Sequence, residues 1–95
     1  MNENTTKTYR VYYVANDGHK CKFTFKSDRS FNRYGNNAYD GKTFGRPFLN
    51  DMLAAAERYE NDPNSKMSIH GGFGGVDSVK IVECIETGRK QYCAF

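Results

Sequence analysis

The sequence predicts an α+β fold: an antiparallel sheet of about four strands, built as two hairpins and covered by one main helix, in the order ββαββ. Three observations carry this. Thr8–Lys26 and Val79–Phe95 are rich in β-branched and aromatic residues, and each is interrupted by a short loop ending in glycine. Between them, Pro47–Tyr59 repeats apolar residues at three- and four-residue steps. Finally, seven Tyr and seven Phe set the chain apart from disordered sequences, which are poor in aromatics, despite a mean hydropathy of −0.81. Ninety-five residues suffice for one modest core. The expected division is a flexible tail over residues 1–7 and a single domain over 8–95.

The first hairpin can be registered from the sequence. A two-residue turn at Asp17-Gly18 would pair Tyr12 with Phe23 and Arg10 with Phe25, mixing charge into the apolar face. A three-residue loop, Asn16-Asp17-Gly18, pairs Tyr13 with Cys21, Val11 with Phe23 and Tyr9 with Phe25 instead. One face is then apolar, and the other carries Arg10, Tyr12, Val14, Lys20, Lys22, Thr24 and Lys26. A one-residue slip would flip every side chain, so burial selects the three-residue loop, with Gly18 left-handed.

Pro47 suits the first turn of the helix, and Asn61-Asp62-Pro63 ends it. Its expected apolar stripe is Phe48, Leu49, Met52, Leu53, Ala56 and Tyr59, with Leu53 meeting Phe23 and Ile81 where helix crosses sheet. In the second hairpin the same loop type, Glu86-Thr87-Gly88, pairs Ile81 with Cys93 and Val79 with Phe95. That register puts Lys80, Val82, Cys84, Lys90 and Tyr92 on the opposite face. The His70–Gly75 run reads as a flexible connector or a tight backbone approach. A long aromatic, Asn- and Gly-rich loop, Ser27–Arg46, lacks any Val, Ile or Leu; a short helical turn over Arg29–Tyr34, capped by Ser27 or Asp28, is expected within it.

No apolar run approaches the ~20 residues of a membrane span, and MNENTTKTYR shows no signal-peptide pattern. Three cysteines, Cys21, Cys84 and Cys93, form an odd set without CxxC spacing, which points to a cytoplasmic chain with reduced thiols. His19 and His70 lie at no ligand spacing from any cysteine, so neither a zinc site nor any other metal or cofactor is expected. The glycine run follows a helix and precedes a strand, the reverse of a phosphate-binding loop. Asp28, Asp40, Asp51, Glu57, Asp62, Asp77 and Glu83 share no spacing that pairs two of them for acid–base work. Cys21 and Cys93 are expected in the core, where a thiol is inert. Enzymatic activity is therefore not expected.

Binding is the remaining class. Residues 1–46 carry nine Lys or Arg against four acids, and residues 47–95 carry five against seven, so the cations concentrate on the first hairpin. The leading expectation is a protein partner, engaged by Arg29, Phe31, Arg33, Tyr34 and Tyr39 of the long loop, because Tyr and Arg dominate adaptable binding surfaces. Small chains without motifs are often accessory or inhibitor proteins of mobile elements such as phages. The alternative is nucleic acid on the outer face of the first hairpin. There Arg10, Lys20, Lys22 and Lys26 would track phosphates while Tyr12 stacks a base.

Overall fold

β1 (Lys7–Val14) and β2 (Lys20–Ser27) form the first hairpin in a computed structural model that describes residues 6–28 and 46–92. Their register pairs Tyr9 with Phe25, Val11 with Phe23 and Tyr13 with Cys21, as the apolar alternation requires. The loop closes through Ala15 N–H donating to His19 O (2.7 Å) and Gly18 N–H donating to Ala15 O (2.9 Å). That leaves Asn16-Asp17-Gly18 as the turn, with Gly18 at φ +94°. Tyr9, Val11, Tyr13, Phe23 and Phe25 are buried, and Cys21 packs against them half-exposed. β1 already begins at Lys7, within the segment expected to be a tail; residues 1–5 lie outside the described residues.

β3 (Val79–Cys84) and β4 (Lys90–Tyr92) complete an antiparallel sheet of order β2-β1-β3-β4. The expected register of this second hairpin is corrected in two ways. First, the turn holds four residues, Ile85 to Gly88, closed by Cys84 N–H donating to Arg89 O (2.8 Å) and Gly88 N–H donating to Cys84 O (2.8 Å). Ile81 consequently pairs with Tyr92 rather than Cys93, which lies with Phe95 outside the described residues. Second, β3 carries a bulge: Tyr13 pairs with Val79 but Tyr12 with Ile81, leaving Lys80 as an extra residue. Val79, Val82 and Cys84 are therefore the buried residues, while Ile81 is half-exposed beside Tyr12 on the outer face. Strict alternation from Val79 would have aimed Glu83 at the core, where an unpaired charge is costly. The bulge turns it outward.

α1 (Arg46–Glu60) lies across the inner face of β1 and β2. Phe48 meets Tyr9 edge-on at 4.9 Å between ring centroids and Phe25 at 5.3 Å. Tyr59 meets Phe23 at 5.5 Å, and its hydroxyl donates to Thr24 O (3.2 Å). The buried stripe is Phe48, Met52, Ala55 and Ala56, flanked by the partly buried Leu49 and Tyr59. Leu53 is 39% exposed, which corrects its expected place at the helix–sheet crossing with Phe23 and Ile81. Five residues beyond Phe48 at ~100° per residue, it has rotated well off the stripe.

A short helix not foreseen in the sequence, α2 (Lys66–Ile69), follows and buries Met67. Ser65 caps it by accepting from Ser68 N–H (3.1 Å), and the Ser65 hydroxyl donates to Tyr59 O (2.6 Å). The glycine run that comes next is a tight backbone approach. Asn16 N–H donates to Gly72 O (3.3 Å), Asp17 N–H to His70 O (3.1 Å), and Asn16 Nδ2 to Gly71 O (2.6 Å). A Cβ on Gly72, at φ +101°, would meet Glu60 Oε2 at 3.1 Å and Asn16 Nδ2 at 3.2 Å. Phe73 then packs on Tyr13 and Phe23, and a single 3-10 turn, Val76–Ser78, leads into β3. Among the described residues no helix is long and apolar enough to cross a membrane.

Three outcomes follow from this packing. Met52→Ala should destabilise by ~2–5 kcal/mol in urea titration, the usual cost of truncating a buried side chain, whereas Leu53→Ala should cost a small fraction of that. Gly18→Val should cost ~1–2 kcal/mol in the same assay. Nothing lies within 4 Å of the missing Cβ, so the whole effect is left-handed strain.

The third concerns alkaline pH. Burial pushes the Tyr9 phenol from 10.0 up to about 12, with Cys84 and Glu86 adding to the shift and Arg89 opposing it. The fold thus holds this proton more tightly than the unfolded chain does. Stability is complete below pH 10 and falls as pH rises from there through about 12. Urea midpoints measured across that window should drop, and Tyr9→Phe should make the drop shallower.

Candidate nucleic-acid interface

Because α1 covers one face of the sheet, the outer face is built by the residues that alternate away from it. The pairings place Lys22, Tyr12, Ile81 and Tyr92 in one row across all four strands. The neighbouring row is Thr24, Arg10, Glu83 and Lys90. Lys20 and Lys26 extend the face along β2, and Lys80 extends it at the bulge. Tyr92 is 61% exposed, and Lys20, Lys22, Lys26, Lys80 and Lys90 are all exposed.

Glu83 holds the centre of this face. It accepts a hydrogen bond from the Tyr12 hydroxyl (3.0 Å) and lies 3.6 Å from the Arg10 guanidinium. Arg10 also donates to the Tyr12 oxygen (3.3 Å). Hydrogen bonding to Tyr12, with Glu83 nearby, raises the Arg10 pKa, so Arg10 stays charged but is committed to this triad. The triad fixes the Tyr12 phenol. The surrounding lysines show no ion pair among the described contacts of that face, and they supply its positive field.

Arg10, Tyr12, Lys20, Lys22 and Lys26, singled out in the sequence, are thus gathered on one surface, although Arg10 is a positioning group there more than a free cation. Ile81, Tyr92, Lys80 and Lys90 join them. Alternation in the sequence places Lys80, Lys90 and Tyr92 on that face, but the bulge that adds Ile81 has no signature there. Arg29, Phe31, Arg33, Tyr34 and Tyr39, and the expected helical turn over Arg29–Tyr34, lie outside the described residues. Ser27, at the threshold of that segment, lies in β2, and its hydroxyl donates to Asp51 Oδ2 (2.6 Å). Cys84 is buried at 1% exposure instead of facing outward, a further consequence of the bulge.

A second cluster sits where the first hairpin loop meets the glycine run. Asp17 Oδ1 lies 2.9 Å from His19 Nδ1, and Asp17 Oδ2 lies 2.9 Å from His70 Nδ1. The two imidazoles stack with centroids 4.0 Å apart. His19 N–H also donates to Asp17 Oδ1 (3.0 Å). Partial desolvation pushes the Asp17 carboxyl up. The hydrogen bonds from the His19 backbone and from both rings, with the charge of His19, outweigh it and hold the carboxyl well below the usual range. These residues are 53 positions apart at their widest, and no local spacing announces them.

Comparison of the chain with protein-family models, curated proteins and solved structures finds no match.

Proposed function

We propose that the chain is a small non-enzymatic binding protein whose sheet face opposite α1 takes single-stranded nucleic acid. The observation that supports this best is the row Lys22–Tyr12–Ile81–Tyr92, bordered by exposed lysines on β2, β3 and β4. Single-strand binders combine cations that follow the backbone with rings that stack bases, and an open sheet offers both at fixed spacing. Tyr12 and Tyr92 stand two strands apart, on the order of 10 Å, with the apolar Ile81 between them. That arrangement suits neighbouring bases splayed out of their own stack. Within the two rows of the described strands the one acid is Glu83, matched by Arg10, so the lysines around it complement a polyanion.

A protein partner is the second reading. It is favoured by the anchoring of Ser27 to Asp51, which fixes the point where the chain leaves β2 against the helix to which it returns. Binding segments are commonly held this way on rigid scaffolds. Arg33→Ala and Tyr34→Ala would test it by loss of a partner in pull-downs.

The nucleic-acid reading is tested by filter binding of a labelled single-stranded oligonucleotide over a salt series. Lys20→Glu with Lys22→Glu should weaken binding strongly and reduce the slope of log K against log salt by roughly 0.7 per lost phosphate contact. Tyr92→Ala should cost ~1–3 kcal/mol of affinity with the slope unchanged, since stacking carries no charge. Circular dichroism should show both variants folded, because all three side chains are exposed. Wild-type protein that retains no oligonucleotide at low salt, or a charge reversal that leaves the slope intact, rejects the reading.

A further inference from the structure

We propose that Asp17, His19 and His70 form a binding site for a single divalent transition-metal ion, of which Zn²⁺ is the reference case. One ligand atom from each residue, a carboxylate oxygen of Asp17 and a ring nitrogen of each histidine, lies within 4.8 Å of the other two. Two imidazoles and one carboxylate make a borderline donor set. It suits Zn²⁺, Ni²⁺ or Cu²⁺ and disfavours Mg²⁺ and Ca²⁺, which require oxygen ligands. Bonds of about 2.0–2.1 Å to a tetrahedral ion separate its ligand atoms by roughly 3.3 Å. The two 2.9 Å contacts, one to each oxygen of the Asp17 carboxylate, open by a few tenths of an ångström and the stacked rings rotate to admit the ion.

Contacts between the two loops bring these groups together. Asp17 N–H donates to His70 O, and Asn16 bonds Gly71 O and Gly72 O, so the two loops are already joined by backbone contacts. Preorganisation of this kind lowers the cost of binding. Access is retained: the side chains of Asp17, His19 and His70 are 40%, 63% and 22% exposed. Binding needs no new charge state of a neutral ring. A neutral imidazole shifts its proton from Nδ1 to Nε2 and offers the freed lone pair to the ion, while the carboxylate supplies the negative charge. Three protein ligands leave at least one coordination position for water or an external anion. His19 and His70 border the same open groove as Lys20, Lys66 and Lys80, so that position faces a cationic surface.

The test is titration of the untagged, full-length chain with ZnCl₂, followed by calorimetry. The expected result is one saturable equivalent per chain. His70→Ala, and separately His19→Ala, should each weaken it by at least tenfold, and excess MgCl₂ should not compete. His19 is the most exposed of the three, so its variant should remain folded even if removing His70 disturbs the glycine run. X-ray absorption at the zinc edge should show nitrogen and oxygen neighbours near ~2.0–2.1 Å and no sulfur. The proposal is overturned by the absence of a saturable equivalent, by binding that survives both histidine variants, or by a sulfur shell, which would place the ion on a cysteine instead.

Discussion

The extra residue in β3 decides what this molecule presents to solvent. Tyr12 faces Ile81 while Tyr13 faces Val79, so Lys80 has no partner of its own in β1 and the alternation of β3 shifts by one beyond it. Upstream of the bulge, Val79 is buried; downstream, Val82 and Cys84 are. Both sets are fully buried, which a strand in perfect alternation cannot achieve: keeping Val79 inside would bury Glu83 and expose Val82. A bulge sacrifices a ladder hydrogen bond at one position, worth on the order of 1 kcal/mol, and avoids the larger cost of an unpaired carboxylate in the core. The outer face follows from the same event. Glu83 arrives beside Arg10 and Tyr12, and Ile81 arrives between Tyr12 and Tyr92.

The glycine run is the second constraint, and it acts through backbone contact. Gly71 and Gly72 have φ of +93° and +101°, strained for any other residue, and a side chain on either would crowd Asn16 or Glu60. Their small size lets the hairpin loop dock against residues 70–72, and Phe73 immediately follows into the aromatic cluster around Tyr13 and Phe23. Glu60, at the last turn of α1, accepts from Phe73 N–H (2.8 Å) and ties the helix to the same junction. The contact that places His70 on Asp17 is thus also one that closes the core.

Much of the fold was legible because it rests on local alternation. In the first hairpin, period-two burial and a single glycine leave one register with an uncharged inner face, and that register is observed. The helix was legible from Phe48, Met52, Ala56 and Tyr59, whose steps of three and four residues give a stripe, but the adjacent Leu53 could not be separated from it by spacing alone. The second hairpin was misregistered for a physical reason. Its glycine permits either a three- or a four-residue turn, and a bulge depends on which strand becomes the neighbour, here β1, far away in sequence. The lysines and Tyr12 of the outer face could be read from β1 and β2 directly. Ile81 could not, since its orientation is set by that neighbour. The Asp17–His19–His70 cluster was hidden most completely: spacing rules examine residues close in the chain, whereas this one is assembled by docking two loops 53 residues apart.

The two surfaces are continuous, and their electrostatics are linked. Lys20 follows His19 directly where the hairpin loop passes into β2, and the groove bordered by His19 and His70 runs to Tyr12 and Ile81. In the absence of an ion, Asp17 is the acid at this end of a face otherwise dominated by lysines. A divalent cation held on its carboxylate would reverse the local sign and extend the positive field from β2 around the loop. An anionic group could then reach both the ion and the lysines from one side. Such a contact would favour phosphate geometry at the end of the platform and leave the stacking row at its centre unchanged. A polyanion and a metal ion would accordingly bind more tightly together than apart, with the coupling carried by charge.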